Sequence, residues 1–324
     1  MAEWLVEQAI GESRAVRLEA GEIAEARLAW PGELSAGAVV EARLVARARG
    51  GARGTAQLAG GTRVLVDRLP PAANEGGVLR LAITRPALAE AGRGKLARAR
   101  VTDAPTCPAP SLAESLAAQG HAVREVARFP AGDWNGLMAE AFAREIAFPG
   151  GTLLLSPTPA MTLIDVDGED DPARLALAAC APIAAALRRL DIGGAIGIDF
   201  PTLGEKSARQ EVNAALDRAL AGWPHERTAM NGFGFVQLVA RLERPSILHR
   251  ATFNRAATAT RLLLRRAQML EGAGVIELAG HPALEAQLRP DWLAELRRRT
   301  GVEHRFRADP GLAIEAGQAQ LVSR

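Results

Sequence analysis

Two short apolar runs that each close on aspartate constrain this chain most. Met161 to Val166 and Ala195 to Phe200 read as buried strands, and between them Asp171-Pro172 opens a helix reaching about Leu190, with Asp as N-cap and Pro in the first turn. Strand, helix, strand is a crossover, and in nearly every such unit the strands run parallel with a right-handed connection. Asp165 and Asp167 are two apart, so they share one face, while Ile164 and Val166 point to the other. Asp199 ends the next strand. If the two strands are neighbours, the three carboxylates gather at the carboxyl edge of a parallel sheet, where open α/β folds place their sites.

Carboxylates held this close repel one another unless a cation intervenes. Mg²⁺ suits such a place, because it takes oxygen ligands and commonly uses one or two carboxylates plus substrate phosphate oxygens. It can activate water and offset charge that grows during phosphodiester hydrolysis. The competing reading of Asp167 to Asp171 (DGEDD) is a solvated turn and helix start, where acids complement the dipole; it is adopted for Glu169, Asp170 and Asp171. Asp165 and Asp199 end buried strands among apolar neighbours, where an unpaired charge is costly, and are read as the site. The D-x-D-G string is no calcium loop, since its glycine falls at the fourth position and the closing Glu is missing.

Elsewhere the texture changes twice. Residues 1 to about 35 carry alternating segments and a Pro31-Gly32 turn, which predicts a small sheet. From Gly37 to Val101, short β-like runs (Val39 to Val45, Thr62 to Val66, Val78 to Thr84, Leu96 to Val101) alternate with Gly-Gly turns, as in a small antiparallel barrel. Its arginines, with Lys95, outnumber its acids, so this module is basic within a chain of net charge +2. It has no Phe, Trp or Tyr, the usual platforms for stacked bases. Thr102 to Pro110 reads as a linker. A helix from about Trp134 to Ile146, a β run Thr152 to Leu155, a helix from about Ser207 to Ala221, an apolar run Phe233 to Val239, an Arg-rich helix from about Phe253 to Leu270 and a small α/β unit complete the order.

With 324 residues, 48% hydrophobic and 23% charged, the chain can bury several cores. Lys95 and Lys206 are the only lysines, so the positive charge is nearly all guanidinium, whose planar fork grips phosphate. Cys107 and Cys180 stand alone and the five histidines are scattered, so no zinc is expected. The acidic start and the lack of a long apolar run predict a cytoplasmic protein with no membrane partner.

Gly150 to Gly168 (GGTLLLSPTPAMTLIDVDG) resembles the ribonuclease E/G pattern ending IDVNSG, and Leu190 to Phe200 (LDIGGAIGIDF) resembles its RDLGG-x-IVIDF strand. Phe233-Gly234, Arg244-Pro245-Ser246, Arg299 to Val302 and Asp309-Pro310 are similar to later segments of the family. The resemblance implies an α/β fold of several subdomains. These are an RNase H-like part (1–36 and 104–148) with an inserted OB-type barrel (37–103), a deoxyribonuclease-I-like catalytic part (149–250) and a small C-terminal α/β domain (251–324). It implies Mg²⁺, with Mn²⁺ as a substitute, held by Asp165 and Asp199, and cleavage of single-stranded RNA. Asp167 stands where the family has an Asn that orients the site. The family's 5′-monophosphate pocket and its zinc-link CPxC motif have no counterpart, which implies cleavage indifferent to the RNA 5′ end and no zinc-linked tetramer; a metal-free homodimer stays open. Phosphate contacts are expected from Arg93 and Lys95 on the barrel and from Arg250, Arg255, Arg261, Arg265 and Arg266, in and just before the Arg-rich helix. The alternative is a catalytically weak RNA-binding protein on the same scaffold, suggested by the missing aromatics and the acidic turn.

Overall fold

The computed structural model describes residues 3–90 and 92–323, with Arg93 described by its backbone alone. The chain starts as three antiparallel strands, β1 (Trp4–Ala9), β2 (Glu12–Glu19) and β3 (Glu22–Ala29). It then leaves this sheet for β4 (Val39–Arg47), β5 (Arg53–Gln57), β6 (Arg63–Asp67), β7 (Val78–Arg85), a small hairpin β8 (Leu88–Glu90) and β9 (Arg93–Lys95), and β10 (Ala97–Val101). Five of these close a barrel in the order β10-β6-β5-β4-β7. Inward residues alternate along the strands and form a separate core of Leu44, Val64, Val66, Leu81, Ile83 and Ala99. β5 was not legible, because Arg-Gly-Thr-Ala-Gln buries only one apolar side chain, Ala56.

The linker is irregular, with one bridge from Cys107 back to Val39. After it come α1 (Leu112–Ala118), capped by the reciprocal Ser111 and Glu114 bonds, and β11 (Val123–Val126). β11 pairs in parallel with β1, Trp4 opposite Val123, so the chain rejoins the sheet it left before the barrel.

Next are α2 (Trp134–Ala143), β12 (Glu145–Phe148), β13 (Gly151–Pro157), β14 (Thr162–Asp167), α3 (Pro172–Arg189), β15 (Gly194–Asp199), α4 (Lys206–Ala219), β16 (His225–Arg227) and β17 (Phe235–Ala240). The helix expected to reach Ile146 stops at Ala143, where Arg144 takes a left-handed conformation, and Glu145 to Phe148 alternate as an edge strand. The six strands order as β12-β13-β14-β15-β17-β16. β14 and β15 are parallel neighbours, as the crossover requires, but β13 and β17 flank them antiparallel, so the sheet is mixed and not parallel throughout. Asp171 caps α3 through bonds from Ala173 N and Arg174 N, with Pro172 at the first position, as read from the sequence.

The Arg-rich helix is one helix, Arg255–Gln268 (α6), and a short helix that the sequence did not reveal, α5 (Ile247–Phe253), precedes it with a break at Asn254. A three-stranded unit follows: β18 (Val275–Gly280), α7 (Pro282–Glu285), α8 (Pro290–Thr300), β19 (Glu303–Ala308) and β20 (Gln318–Val322). One continuous core joins everything outside the barrel and the patch beneath α1. Among the described residues no helix is long and apolar enough to cross a membrane.

Candidate active site

The alternation along β14 buries Ile164 and Val166 and turns Asp165 and Asp167 outward. In the register of the parallel pair, Asp165 lies directly opposite Asp199. Neighbouring strands are ~4.7–4.9 Å apart, so two carboxylates leave adjacent backbones side by side on the same face. Neither Asp165, Asp167 nor Asp199 forms an ion pair among the described residues; Gly168 N–H donates to Asp167 Oδ1 at 2.9 Å. Partial burial, then the charges of Asp199 and Asp167, raise the Asp165 carboxyl above its ordinary value, against a lowering bond from the Val166 backbone. Like-charge pairs behave in this way when no cation is present.

This donor set fits a hard cation that keeps much of its hydration. Among the described residues no three His, Cys, Asp or Glu side chains gather closely enough to hold a metal ion unaided. Asp165 and Asp199 supply two oxygen donors, Asp167 stands one alternation further along the same face, and remaining positions are left for water and phosphate oxygens, the usual arrangement for Mg²⁺. The rest of the acidic turn is occupied locally: Asp171 caps α3, and Asp170 pairs with Arg174 at 3.6 Å.

The pair has a pH consequence. A carboxyl raised in the folded chain binds more protons there than in the unfolded chain, so stability falls as pH rises between its ordinary and its raised value. Replacing Asp167 by Asn removes one of the charges responsible. Asp167→Asn is expected to move the Asp165 titration to lower pH and to narrow that window, which carbon-detected NMR of the Asp165 carboxyl would follow. An unchanged titration would mean that burial and Asp199 account for the whole shift.

Beyond Asp199 the chain turns through Phe200 and Pro201 and meets the loop ahead of β17. Gly234, at φ +90°, accepts from Phe200 N at 3.2 Å, and a Cβ there would lie 2.3 Å from the Phe200 carbonyl oxygen, so only glycine allows this approach. Asn231 Oδ1 accepts from Phe233 N at 2.9 Å and Phe235 N at 3.0 Å, and Thr202 Oγ1 donates to the Phe233 carbonyl at 3.4 Å. The backbone is thus tied on both sides, while the Phe233 side chain stands 81% exposed. Phe235, two residues on, is the register partner of Asp199. Sequence reading placed Phe233 inside an apolar strand; the turn residues Asn231, Gly232 and Gly234 around it were the signal that it lies outside one.

The expected phosphate contacts fall elsewhere. Lys95 pairs with Glu90 at 2.7 Å and donates to the Pro159 carbonyl, in the turn that enters β14. That turn is at the opposite end of β14 from Asp165, at least ~10 Å away for three residues of strand. The Arg93 side chain lies outside the described residues. Arg255 is held by Glu315 at 2.6 Å and by the Phe142 carbonyl at 3.2 Å, with its guanidinium over the Phe142 ring. Arg261 donates to Gly11 O and Ala257 O and lies between Trp30, 3.8 Å from its ring centre, and Trp292, at 4.6 Å. Burial, the largest influence, takes Arg261 down to about 10. Arg250, almost fully buried, grips Glu33 with two bonds of 3.0 and 2.6 Å and also lies over the Trp30 ring, 4.0 Å from its centre. The expectation that Arg255 and Arg261 grip RNA is therefore corrected. Their planar cations are spent joining α6 to its neighbours, which periodicity cannot distinguish from a solvated basic face.

A mixed α/β protein with a closed five-stranded barrel, and with carboxylates paired on the outer face of a crossover, is the class that fold and site define. Residues 116–241 match the ribonuclease E/G family, which supports membership of the chain in that family. The matched segment runs from within α1 to just past β17, so it contains Asp165, Asp167 and Asp199. Ribonucleases hydrolyse RNA, and a nuclease acting on RNA is the activity this match supports.

Proposed function

We propose that this chain is a Mg²⁺-dependent endoribonuclease of the cytoplasm that hydrolyses single-stranded RNA without regard to 5′-phosphorylation. The carrying observation is the register that sets Asp165 opposite Asp199, without a counter-ion, inside the segment that matches the family. Asp165 and Asp199 would hold the ion, with Asp167 as a further ligand or orienting group. When bound, Mg²⁺ supplies charge neutralisation for phosphate oxygens and a more acidic water. The protein's own part is to set two carboxylates side by side at the ends of adjacent strands and to fix the RNA strand beside them. We assign the second task to Phe233: its ring is exposed on an anchored backbone next to Asp199, and a base with free faces can stack there. A paired base offers no such face, which is why the substrate is a single strand.

The return of β11 to the sheet begun by β1 supports an RNase H-like part (1–36 and 104–148) that carries an OB-type barrel (37–103) as an insertion. The mixed sheet supports a deoxyribonuclease-I-like part (149–250), followed by the small unit (251–324). Exposed barrel arginines without side-chain partners among the described residues, Arg49, Arg63, Arg68 and Arg100, are better placed than α6 to meet phosphates.

The test is cleavage of a labelled single-stranded RNA bearing a 5′-hydroxyl or a 5′-monophosphate, in Mg²⁺, Mn²⁺ or EDTA. Metal-dependent cutting at similar rates for both ends is expected. RNA that binds and stays intact in every metal would sink the enzyme and favour an RNA-binding protein, the reading suggested by the acidic turn. In the same assay Phe233→Ala should raise KM roughly tenfold with kcat little altered, since one stacked base is worth ~1–3 kcal/mol. An unchanged KM would remove Phe233 from the substrate path.

A further inference from the structure

A second place in the molecule is prepared for an anion. A cleft of about 730 Å³ lies between the start of α2 and the end of α6, closed on one side by Gly317 and Gln318. Arg128, Arg265 and Arg266 line it, along with the side-chain amides of Asn135 and Gln318, and no Asp or Glu does. None of its lining residues belongs to β14, β15 or the turns that follow them.

The three guanidinium groups are poorly compensated. Arg128 is exposed, with no side-chain hydrogen bond or ion pair among the described residues. Arg266 donates to the Gly317 carbonyl and has no acidic partner there. Arg265 is 11% exposed, its Nε has no hydrogen-bond partner, and its nearest carboxylate, Glu7, is 3.9 Å away. Glu7 is already taken by Arg14 at 2.8 Å. Burial, followed by the like charges of Arg14 and Arg128, pushes Arg265 down to about 10. Positive charge that burial penalises and that Glu7 and Glu12 offset only in part is stabilised by an incoming anion.

We propose that this cleft binds the phosphoryl group of a nucleotide-sized ligand through Arg128, Arg265 and Arg266. Guanidinium forks match phosphate oxygens two at a time. The volume exceeds what inorganic phosphate needs and lies within the ~300–1,000 Å³ of small-ligand pockets. Met269 and Leu270 supply an apolar wall for the rest of the ligand. The phosphoryl group could come from a free mononucleotide or from the backbone of a bound RNA strand, and the proposal does not depend on the carboxylate site.

The experiment is calorimetric titration of the full chain, in EDTA and low salt, with AMP, with inorganic phosphate and with a short 5′-hydroxyl oligoribonucleotide. AMP should bind one per chain, phosphate should compete, and Arg128→Ala and Arg266→Ala should each weaken binding roughly tenfold or more. Arg128 has no partner to lose, so its removal leaves the fold intact. If only the oligoribonucleotide binds and Arg128→Ala weakens it, the ligand is the RNA backbone. Binding of all three probes that is absent, or is indifferent to both substitutions, overturns the site. Asp165→Asn should bind AMP as wild type does, so failure here and failure of the nuclease reading are told apart.

Discussion

Asp165→Asn and Asp199→Asn should each lower RNA cleavage by at least ~10²–10³-fold while leaving the fold intact. Loss of one preorganised charge-stabilising group at a reacting centre costs about that much, and an amide is a weak ligand for a hard cation. Asp165 and Asp199 face outward, so an isosteric amide disturbs no packing. Stability should move the other way. The folded chain holds the Asp165 carboxyl above its ordinary value, so the ionised side chain opposes folding at neutral pH, and Asp165→Asn should be at least as stable as wild type there. Single-turnover cleavage and urea denaturation of the same samples check both halves. An Asp165→Asn protein that cuts RNA normally would remove the paired strand ends from the chemistry.

Glu7→Gln should cost about 3–5 kcal/mol of stability, the range for removing one member of a buried ion pair. Glu7 and Arg14 face each other across β1 and β2 with both side chains essentially inaccessible, at 2.8 Å. Arg14 also approaches Glu12 at 3.4 Å and lies over the Trp134 ring at 5.4 Å, so the pair fastens the first sheet to α2. Without Glu7, both Arg14 and Arg265 lose their nearest carboxylate. Glu12 is a poor replacement, since burial raises its carboxyl against the pull of Arg14, Arg261 and Arg265. Urea denaturation measures the loss, and the double change Glu7→Leu with Arg14→Met should recover much of it, because apolar groups of similar volume need no counter-ion. A single-variant loss below about 1 kcal/mol would show that water or Glu12 takes over the charge.

What was legible before the fold was known is local in origin. Alternation along a strand decides which side chains share a face, so Asp165 and Asp167 could be placed together, and the crossover made Asp199 their neighbour. Asp171-Pro172 marked the start of α3 because capping depends on residues within one turn. The barrel's longer strands were visible from apolar runs between glycines, whereas β5 was hidden by its small and polar residues.

Partnership over long distances was not legible. The same arginine pattern serves a phosphate-binding face, a solvated face or an internal clamp. It took tertiary packing to place Arg261 between Trp30 and Trp292, Arg255 on Glu315, and Lys95 at the wrong end of β14 for the carboxylates. Phe233 was likewise read as part of the apolar run, and only the meeting of the Phe200 turn with Gly234 left its ring outside the sheet. The chain by itself determined where the carboxylates point, because backbone periodicity is a nearest-neighbour property. Which cations and rings are free to meet a substrate was decided only by the fold, since a long side chain takes whichever partner the packing of distant segments brings within reach.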